Sequence, residues 1–119
     1  MKLIFYASFL LIFHLGTAQI KSKPITELSQ NDIKTGILVD VRTPREFVEG
    51  HLPNAINYNW YDENFTTNFD TINKQHAIYL YCKVGGRSSK AANRLYSLGF
   101  KNVTDLTGGY IAYIENTDR

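Results

Sequence analysis

The chain has 119 residues, of which 20% are charged, and its formal net charge is +2. This length suffices for one domain but not for two, and a charge near zero without a basic run gives no reason to expect a nucleic-acid partner. The single cysteine excludes a disulfide within the chain. The three histidines are scattered along the sequence, so we expect neither a metal site nor a cofactor.

Residues 1–18 have the pattern of a secretory signal peptide. A basic second residue precedes an apolar stretch from Leu3 to Leu15, and Gly16-Thr17-Ala18 supplies the small residues that precede a cleavage site. The apolar stretch is shorter than the roughly 20 residues of a membrane-spanning helix. We therefore predict cleavage after Ala18, an exported protein that is periplasmic or secreted, and no stable membrane association afterwards. An uncleaved membrane anchor is the alternative interpretation.

The rest of the sequence is predicted as a linker over 19–24 and one domain over 25–119. Short strands and helices alternate along this domain, which predicts an α/β fold with a mostly parallel sheet. The predicted strands are an edge strand beginning at Ile25 and four others over 37–41, 55–58, 77–81 and 102–106. The predicted helices cover 28–34, 44–49, 61–72, 88–98 and 109–114.

Cys82 follows one of the predicted buried strands and is the most informative residue of the sequence. In parallel sheets, ligands bind beyond the carboxyl ends of the strands. Residues 82–88, here called the cysteine loop, connect that strand to the next helix. The adjacent Gly85 and Gly86 allow the cysteine loop to curl and to turn several backbone N–H groups towards an anion.

Three further features of the cysteine loop favour a reactive thiolate at Cys82. A helix begins near Ser88, and its N-terminus carries partial positive charge. Lys83 and Arg87 add full charges on either side of the glycines. Positive surroundings of this kind stabilise a thiolate, which is the nucleophilic form of cysteine. The alternative is a small buried cysteine at a strand end, followed by an ordinary glycine turn.

Five segments, taken in order, resemble a rhodanese domain, and the resemblance covers residues 25–114. They are residues 38–42 (LVDVR), 46–57, 81–88 (YCKVGGRS), 91–100 and 106–110 (LTGGY). The sequence departs from the family at Asn54, where a glycine is frequent, and at Tyr110, where a tryptophan is common. The chain therefore resembles a single-domain sulfurtransferase of the rhodanese-like family.

The resemblance implies an α/β fold in which a mostly parallel central sheet is flanked by helices on both faces. It also implies that Cys82 accepts sulfane sulfur from a donor such as thiosulfate, holds it as a persulfide, and passes it to a thiol or to cyanide. The expected partners are thus a small sulfur donor and a thiophilic acceptor, with a redox protein as a further candidate. The residues expected to bind substrate are Lys83, Val84, Gly85, Gly86, Arg87, Ser88 and Arg42.

The length of the cysteine loop separates two branches of the family. Four residues lie between Cys82 and Arg87, as in the sulfurtransferase branch. The related phosphatase and arsenate-reductase branch has a loop one residue longer, which fits a tetrahedral oxyanion. An oxyanion enzyme is therefore the less favoured alternative, and a non-catalytic sulfur carrier or binding module is the other.

The remaining motif residues are expected to support the site. Asp40 is expected to be a structural hydrogen-bonding residue at a strand end, and Arg42 to line the pocket or to pair with a carboxylate. Glu46 is expected to close a capping box with Thr43 at the start of the helix over 44–49. His51 is expected to bond to the backbone in a turn, rather than to act as a catalytic base.

Overall fold

Five parallel strands form the centre of the computed structural model, which describes residues 20–117. In the sheet they are ordered β1-β5-β4-β2-β3. The predicted signal peptide and its cleavage site lie outside the described residues. The strands are β1 (Lys21–Pro24), β2 (Ile37–Asp40), β3 (Ile56–Asn57), β4 (Ile78–Tyr81) and β5 (Val103–Thr107).

Helices connect the strands, and short side chains fix where two of these helices begin. Ser29 and Thr43 each accept a hydrogen bond from the third helical residue, whose carboxylate in turn accepts from the capping backbone N–H. The capping box predicted at Thr43 is thereby confirmed. Within residues 20–117, no helix has the length and apolar character needed to cross a membrane. The helices are α1 (Gln30–Thr35), α2 (Pro44–Glu49), α3 (Gly86–Ser97) and α4 (Gly109–Thr117), with 3-10 turns at Ile25–Glu27 and Phe65–Phe69.

Helices cover both faces of the sheet, as expected for an α/β fold. On one face, α3 places small and branched side chains against the strands, because Ala91, Ala92 and Leu95 lie on one side of the helix and are fully buried. On the other face, α4 and the first 3-10 turn enclose a second cluster around Leu38 and Leu106. The expected fold class is confirmed.

The predicted linker is wrong, because residues 21–24 form an edge strand. β1 pairs with β5 in register from Lys21 opposite Thr104 to Pro24 opposite Thr107. The charged and polar composition of β1 suggested a linker, yet an edge strand tolerates exposed Lys and Pro. Ile25, the expected start of a strand, begins the 3-10 turn instead and is buried.

The helix predicted over 61–72 is also wrong, since only the 3-10 turn Phe65–Phe69 forms there. Asx-type bonds hold the backbone in turns: the side chain of Asp62 accepts from the N–H of Asn64 at 2.9 Å. Such local bonds compete with a helix. The apolar spacing nevertheless predicted burial, because Phe65 and Phe69 both point into the core.

The parallel register brings the ends of β2 and β4 to the same edge of the sheet. Asp40 lies opposite Tyr81, so the residues that follow each strand, including Arg42 and Cys82, emerge side by side. α4 begins two residues beyond β5 at the same edge. The fold therefore assembles three separate sequence motifs around Cys82.

Candidate active site

Cys82 lies directly after β4 and is only 1% exposed. Its sulfur is 3.4 Å from Oγ of Ser88, which belongs to the first turn of α3. The hydroxyl of Ser88 donates to the carbonyl of Gly85 at 3.2 Å. The thiol is thus held inside the curve of the cysteine loop, with a hydroxyl as its polar neighbour.

The start of α4 anchors the cysteine loop from the opposite side. The N–H groups of Tyr110 and Ile111 donate to the carbonyls of Cys82 and Lys83 at 2.8 and 3.1 Å. Gly109 permits this approach, because a Cβ at that position would lie 2.6 Å from both carbonyl oxygens. Its φ of 61° also favours glycine. The glycine before Tyr110 is therefore required by the close contact between α4 and the cysteine loop.

The amide groups of the cysteine loop are left without protein acceptors. Within residues 20–117, the backbone N–H groups of residues 83–88 donate to no carbonyl and to no side chain. In a trans peptide the N–H points opposite to the preceding carbonyl. The N–H groups of Lys83 and Val84 consequently point away from α4. Unpaired amides next to a helix N-terminus form an anion-binding site.

The conformation at Gly85 completes the curve of the loop. Its φ is 150°, a value that residues with a side chain rarely adopt. Gly86 is the first residue of α3, two residues before the predicted helix start at Ser88. The glycine pair was expected to allow a curl, and the structure assigns the unusual backbone angle to Gly85.

The predicted positive field of Arg87 is largely compensated in the structure. Two of its nitrogens donate to the two carboxylate oxygens of Glu46 at 2.6 and 3.0 Å. The hydrogen bond from Arg87 lowers the pKa of Glu46 to about 2. Glu46 also accepts from the N–H of Thr43. It therefore ties the cysteine loop to the start of α2, beyond the capping role that the sequence predicted.

Arg42 forms an ion pair with Asp40, which was one of its two expected roles. Its Nη2 lies 2.7 Å from Oδ2 of Asp40 and 2.6 Å from the carbonyl of Gly50. The guanidinium is stacked over the ring of Tyr110 at 4.2 Å. Because Arg42 is only 3% exposed, the structure favours a bracing role for it over that of a substrate ligand. Asp40 is fully buried.

Lys83 and Val84 carry the exposed side chains of the cysteine loop. Val84 is 66% exposed. Lys83 borders a shallow groove beside the loop, together with Glu49 and Ile114.

His51 has a structural position. Its Nδ1 lies 2.7 Å from the carbonyl of Phe47, and its ring stacks on that of Phe47 with the centroids 3.7 Å apart. The expectation of a backbone-bonded turn residue is confirmed.

Comparison with known proteins shows the family of the chain. The family model described as "Rhodanese-like domain" matches residues 25–116. The chain belongs to the rhodanese-like domain family. Chloroplastic thiosulfate sulfurtransferase 16 of Arabidopsis thaliana is 36% identical over 88 residues, covering 66% of this chain and 73% of that protein. The rhodanese-like relatives support sulfur transfer as the general activity.

Two other relatives show the range of proteins in which this domain occurs. The adenylyltransferase and sulfurtransferase UBA4 of Candida albicans is 35% identical over 107 residues, covering 84% of this chain but only 24% of that protein. A rhodanese-like domain protein from Staphylococcus aureus has a solved structure with a TM-score of 0.69 and 31% identity, covering 79% of this chain and 91% of that one. The chain thus spans about a quarter of the length of the Candida albicans relative and most of the length of the Arabidopsis thaliana relative.

The ion pair between Glu46 and Arg87 predicts a specific pH dependence of stability. Glu46 has a native pKa of about 2, below its ordinary value. The contribution of Glu46 to the free energy of unfolding is therefore fully present above about pH 4.5 and is lost as the pH falls through about 2. The melting temperature, measured between pH 7 and pH 2, should fall more steeply with decreasing pH for the wild type than for Glu46→Gln. Glu63→Gln, at an exposed carboxylate, should match the wild type. Parallel curves for Glu46→Gln and wild type would contradict this assignment.

Proposed function

We propose that this rhodanese-like domain is a sulfurtransferase that moves sulfane sulfur through a persulfide on Cys82. The donor is a small molecule such as thiosulfate, and the acceptor is a thiol or cyanide. The observation that carries the proposal is the set of unpaired amides at residues 83–88 around the lone cysteine. The name of the Arabidopsis thaliana relative supports the same donor class.

The proposed reaction has two steps. In the first, the thiolate of Cys82 attacks the outer sulfur of thiosulfate, the S–S bond of the donor breaks, and sulfite leaves with the bonding electron pair. In the second, the acceptor attacks the terminal sulfur of the persulfide, and the thiolate is regenerated with the electron pair of the broken bond. Cyanide becomes thiocyanate, and a thiolate becomes a persulfide. Covalent catalysis of this kind gives ping-pong kinetics.

The cysteine loop stabilises the negative charge that persists through both steps. The terminal sulfur of a persulfide is anionic, and backbone amides together with the start of α3 supply fixed donors for it. Arg87 and Arg42 are already paired with carboxylates. Backbone dipoles, rather than free arginine charges, are therefore the principal stabilising groups in this proposal.

We also propose that the protein is exported. The basis is the pattern of residues 1–18, with small residues before Gln19. N-terminal sequencing of the protein from the exported fraction should give Gln19 as the first residue. A chain that retains Met1 in the membrane pellet would instead establish an anchored protein.

Replacement of the cysteine should abolish turnover without loss of the fold. Cys82→Ser keeps the size of the side chain and the backbone amides but removes the nucleophile. Turnover of thiosulfate with cyanide should fall to less than about one thousandth of wild type. After treatment with donor, intact mass spectrometry should find the wild type heavier by one sulfur atom and Cys82→Ser unchanged. Cyanide should restore the original mass.

The controls separate the alternative functions. Ser97→Ala, at an exposed position at the far end of α3, should behave as wild type. Hydrolysis of a phosphate ester without sulfur transfer would favour an oxyanion enzyme. A wild-type protein that never gains sulfur would indicate a non-catalytic binding module. Normal transfer by Cys82→Ser would contradict the proposed nucleophile.

A further inference from the structure

The side chain of Ser88 carries a buried hydroxyl that lies between two partners. Ser88 is the third residue of α3 and is fully buried. Its Oγ is 3.4 Å from the sulfur of Cys82 and 3.2 Å from the carbonyl oxygen of Gly85. Because solvent does not reach a fully buried hydroxyl, these two groups determine its hydrogen bonding.

In the thiol form of Cys82, the two hydrogen bonds run in one direction. The S–H group donates to Oγ of Ser88, and the hydroxyl of Ser88 donates to the carbonyl of Gly85. A serine hydroxyl has a single proton to donate and accepts through its lone pairs. The carbonyl therefore takes the only proton of Ser88, and the sulfur receives none from it.

Loss of the thiol proton makes this arrangement unfavourable. The sulfur anion and the oxygen of Ser88 would then face each other across 3.4 Å as two acceptors. Rotation about the Cβ–Oγ bond of Ser88 brings the hydroxyl proton to the sulfur without breaking a covalent bond. A hydrogen bond to an ionised acceptor is stronger than one to a neutral carbonyl. The thiolate therefore favours the rotated hydroxyl.

The carbonyl of Gly85 can lose this donor at small cost. The N–H of Ser89 also donates to it, at 3.1 Å, as the first backbone hydrogen bond of α3. The carbonyl oxygen thus keeps a donor in both positions of the hydroxyl. Rotation of Ser88 consequently leaves no buried acceptor unsatisfied at Gly85.

We propose that Ser88 is a switched donor, which turns from the Gly85 carbonyl to Sγ of Cys82 when Sγ carries negative charge. On ionisation the S–H bond breaks, its proton leaves to solvent, and the electron pair stays on the sulfur. The O–H bond of Ser88 remains intact. In the persulfide the charge lies on the terminal sulfur, beside the loop amides, and the hydroxyl returns to Gly85.

This inference deepens the proposed function and rests on it for one consequence. In the second step of the proposed reaction, the S–S bond breaks and the negative charge returns to Sγ of Cys82. A donor at Sγ makes the leaving thiolate less basic, and less basic thiolates leave faster. The switched donor therefore assists the departure of Cys82 when the acceptor takes the sulfur.

The charged and titratable groups around Cys82 keep their places during this rotation. Arg87 and Arg42 are held in ion pairs with carboxylates, and burial raises the pKa of the Asp105 carboxyl on β5. The Ser88 and Ser89 variants below retain all of these groups, so the comparison isolates the hydroxyl. By element, the groups are Lys83 in the loop, Arg87 of α3 with Glu46 of α2, Asp40 of β2 with Arg42 after it, Tyr61 beside Arg87, Asp105 of β5 and Tyr110 of α4.

Carbon-13 NMR of the Gly85 carbonyl tests the switch directly. In the wild type, this resonance should move upfield as Cys82 ionises, because the carbonyl loses one of its two donors. The movement should largely disappear in Ser88→Ala, where that donor is already absent, and in Cys82→Ser, which has no thiol to ionise. Equal movement in wild type and Ser88→Ala would overturn the proposal. If Ser88→Ala does not fold, a wild-type resonance without upfield movement overturns it equally.

Alkylation of Cys82 by iodoacetamide as a function of pH measures the strength of the new hydrogen bond. Ser88→Ala should raise the midpoint by about one pH unit, because the thiolate loses a buried donor. Ser88→Thr keeps the hydroxyl and should stay close to wild type. The matched control is Ser89→Ala, at an exposed position, which keeps the backbone donor to Gly85 and should not change the midpoint.

The alkylation midpoint also separates the switch from a structural role. A loosened loop would change the access of the reagent, and hence the limiting rate, but not the midpoint. An unchanged midpoint in Ser88→Ala would therefore make Ser88 a purely structural residue and contradict the switch. Neither the alkylation nor the NMR measurement needs sulfur transfer, so both decide the proposal even if the proposed function fails.

Single-turnover transfer from the preformed persulfide to cyanide tests the leaving-group consequence. Ser88→Ala should release its sulfur about threefold more slowly than wild type, because about one pH unit of added basicity at Cys82 is only partly expressed in the rate. Ser89→Ala should match wild type. Equal rates in wild type and Ser88→Ala would overturn the leaving-group role. A wild type that forms no persulfide would contradict the proposed function instead, and the Gly85 measurement would still decide the switch.

Discussion

The hydrogen bonds from the start of α4 to the carbonyls of Cys82 and Lys83 determine the chemistry of the whole site. Because these carbonyls are bound by Tyr110 and Ile111, the N–H groups on the opposite sides of the same peptides point away from α4. The contact depends on Gly109, where any side chain would collide with the loop. A helix far along the sequence thereby orients the amides that follow the cysteine.

Charge compensation is the second organising feature. Asp40 pairs with Arg42, and Glu46 pairs with Arg87, so neither arginine offers an unpaired charge to a substrate. Lys83 is exposed and forms no salt bridge within residues 20–117. The site therefore combines fixed backbone donors with the accessible cation of Lys83, an arrangement suited to the small negative charge of a sulfur anion.

Sequence patterns predicted the parts of the structure that depend on short-range information. The buried strands at Ile37–Asp40 and Ile78–Tyr81 and the capping box at Thr43 follow from apolar runs and local hydrogen bonding, and each is present. The sequence of the cysteine loop also predicted that the Gly85-Gly86 pair allows a curl, and Gly85 has the unusual φ. Local side-chain bonds around Asp62 prevented the helix expected over 61–72, a competition that apolar spacing does not reveal.

Long-range contacts account for what the sequence did not predict. β1 is too polar to be recognised as a strand until β5 is beside it, and the pairing of Glu46 with Arg87 joins residues far apart in the chain.

The amide resonances of residues 83–88 provide the most direct test of the central claim, which is that unpaired backbone N–H groups hold the sulfur anion. Nitrogen-15 and proton chemical shifts should be compared for the protein with free Cys82, after persulfidation by thiosulfate, and after removal of the sulfur by cyanide. The account predicts downfield amide proton shifts concentrated in residues 83–88 on persulfidation and their reversal by cyanide. Persulfidation that leaves these amide shifts unchanged would contradict it.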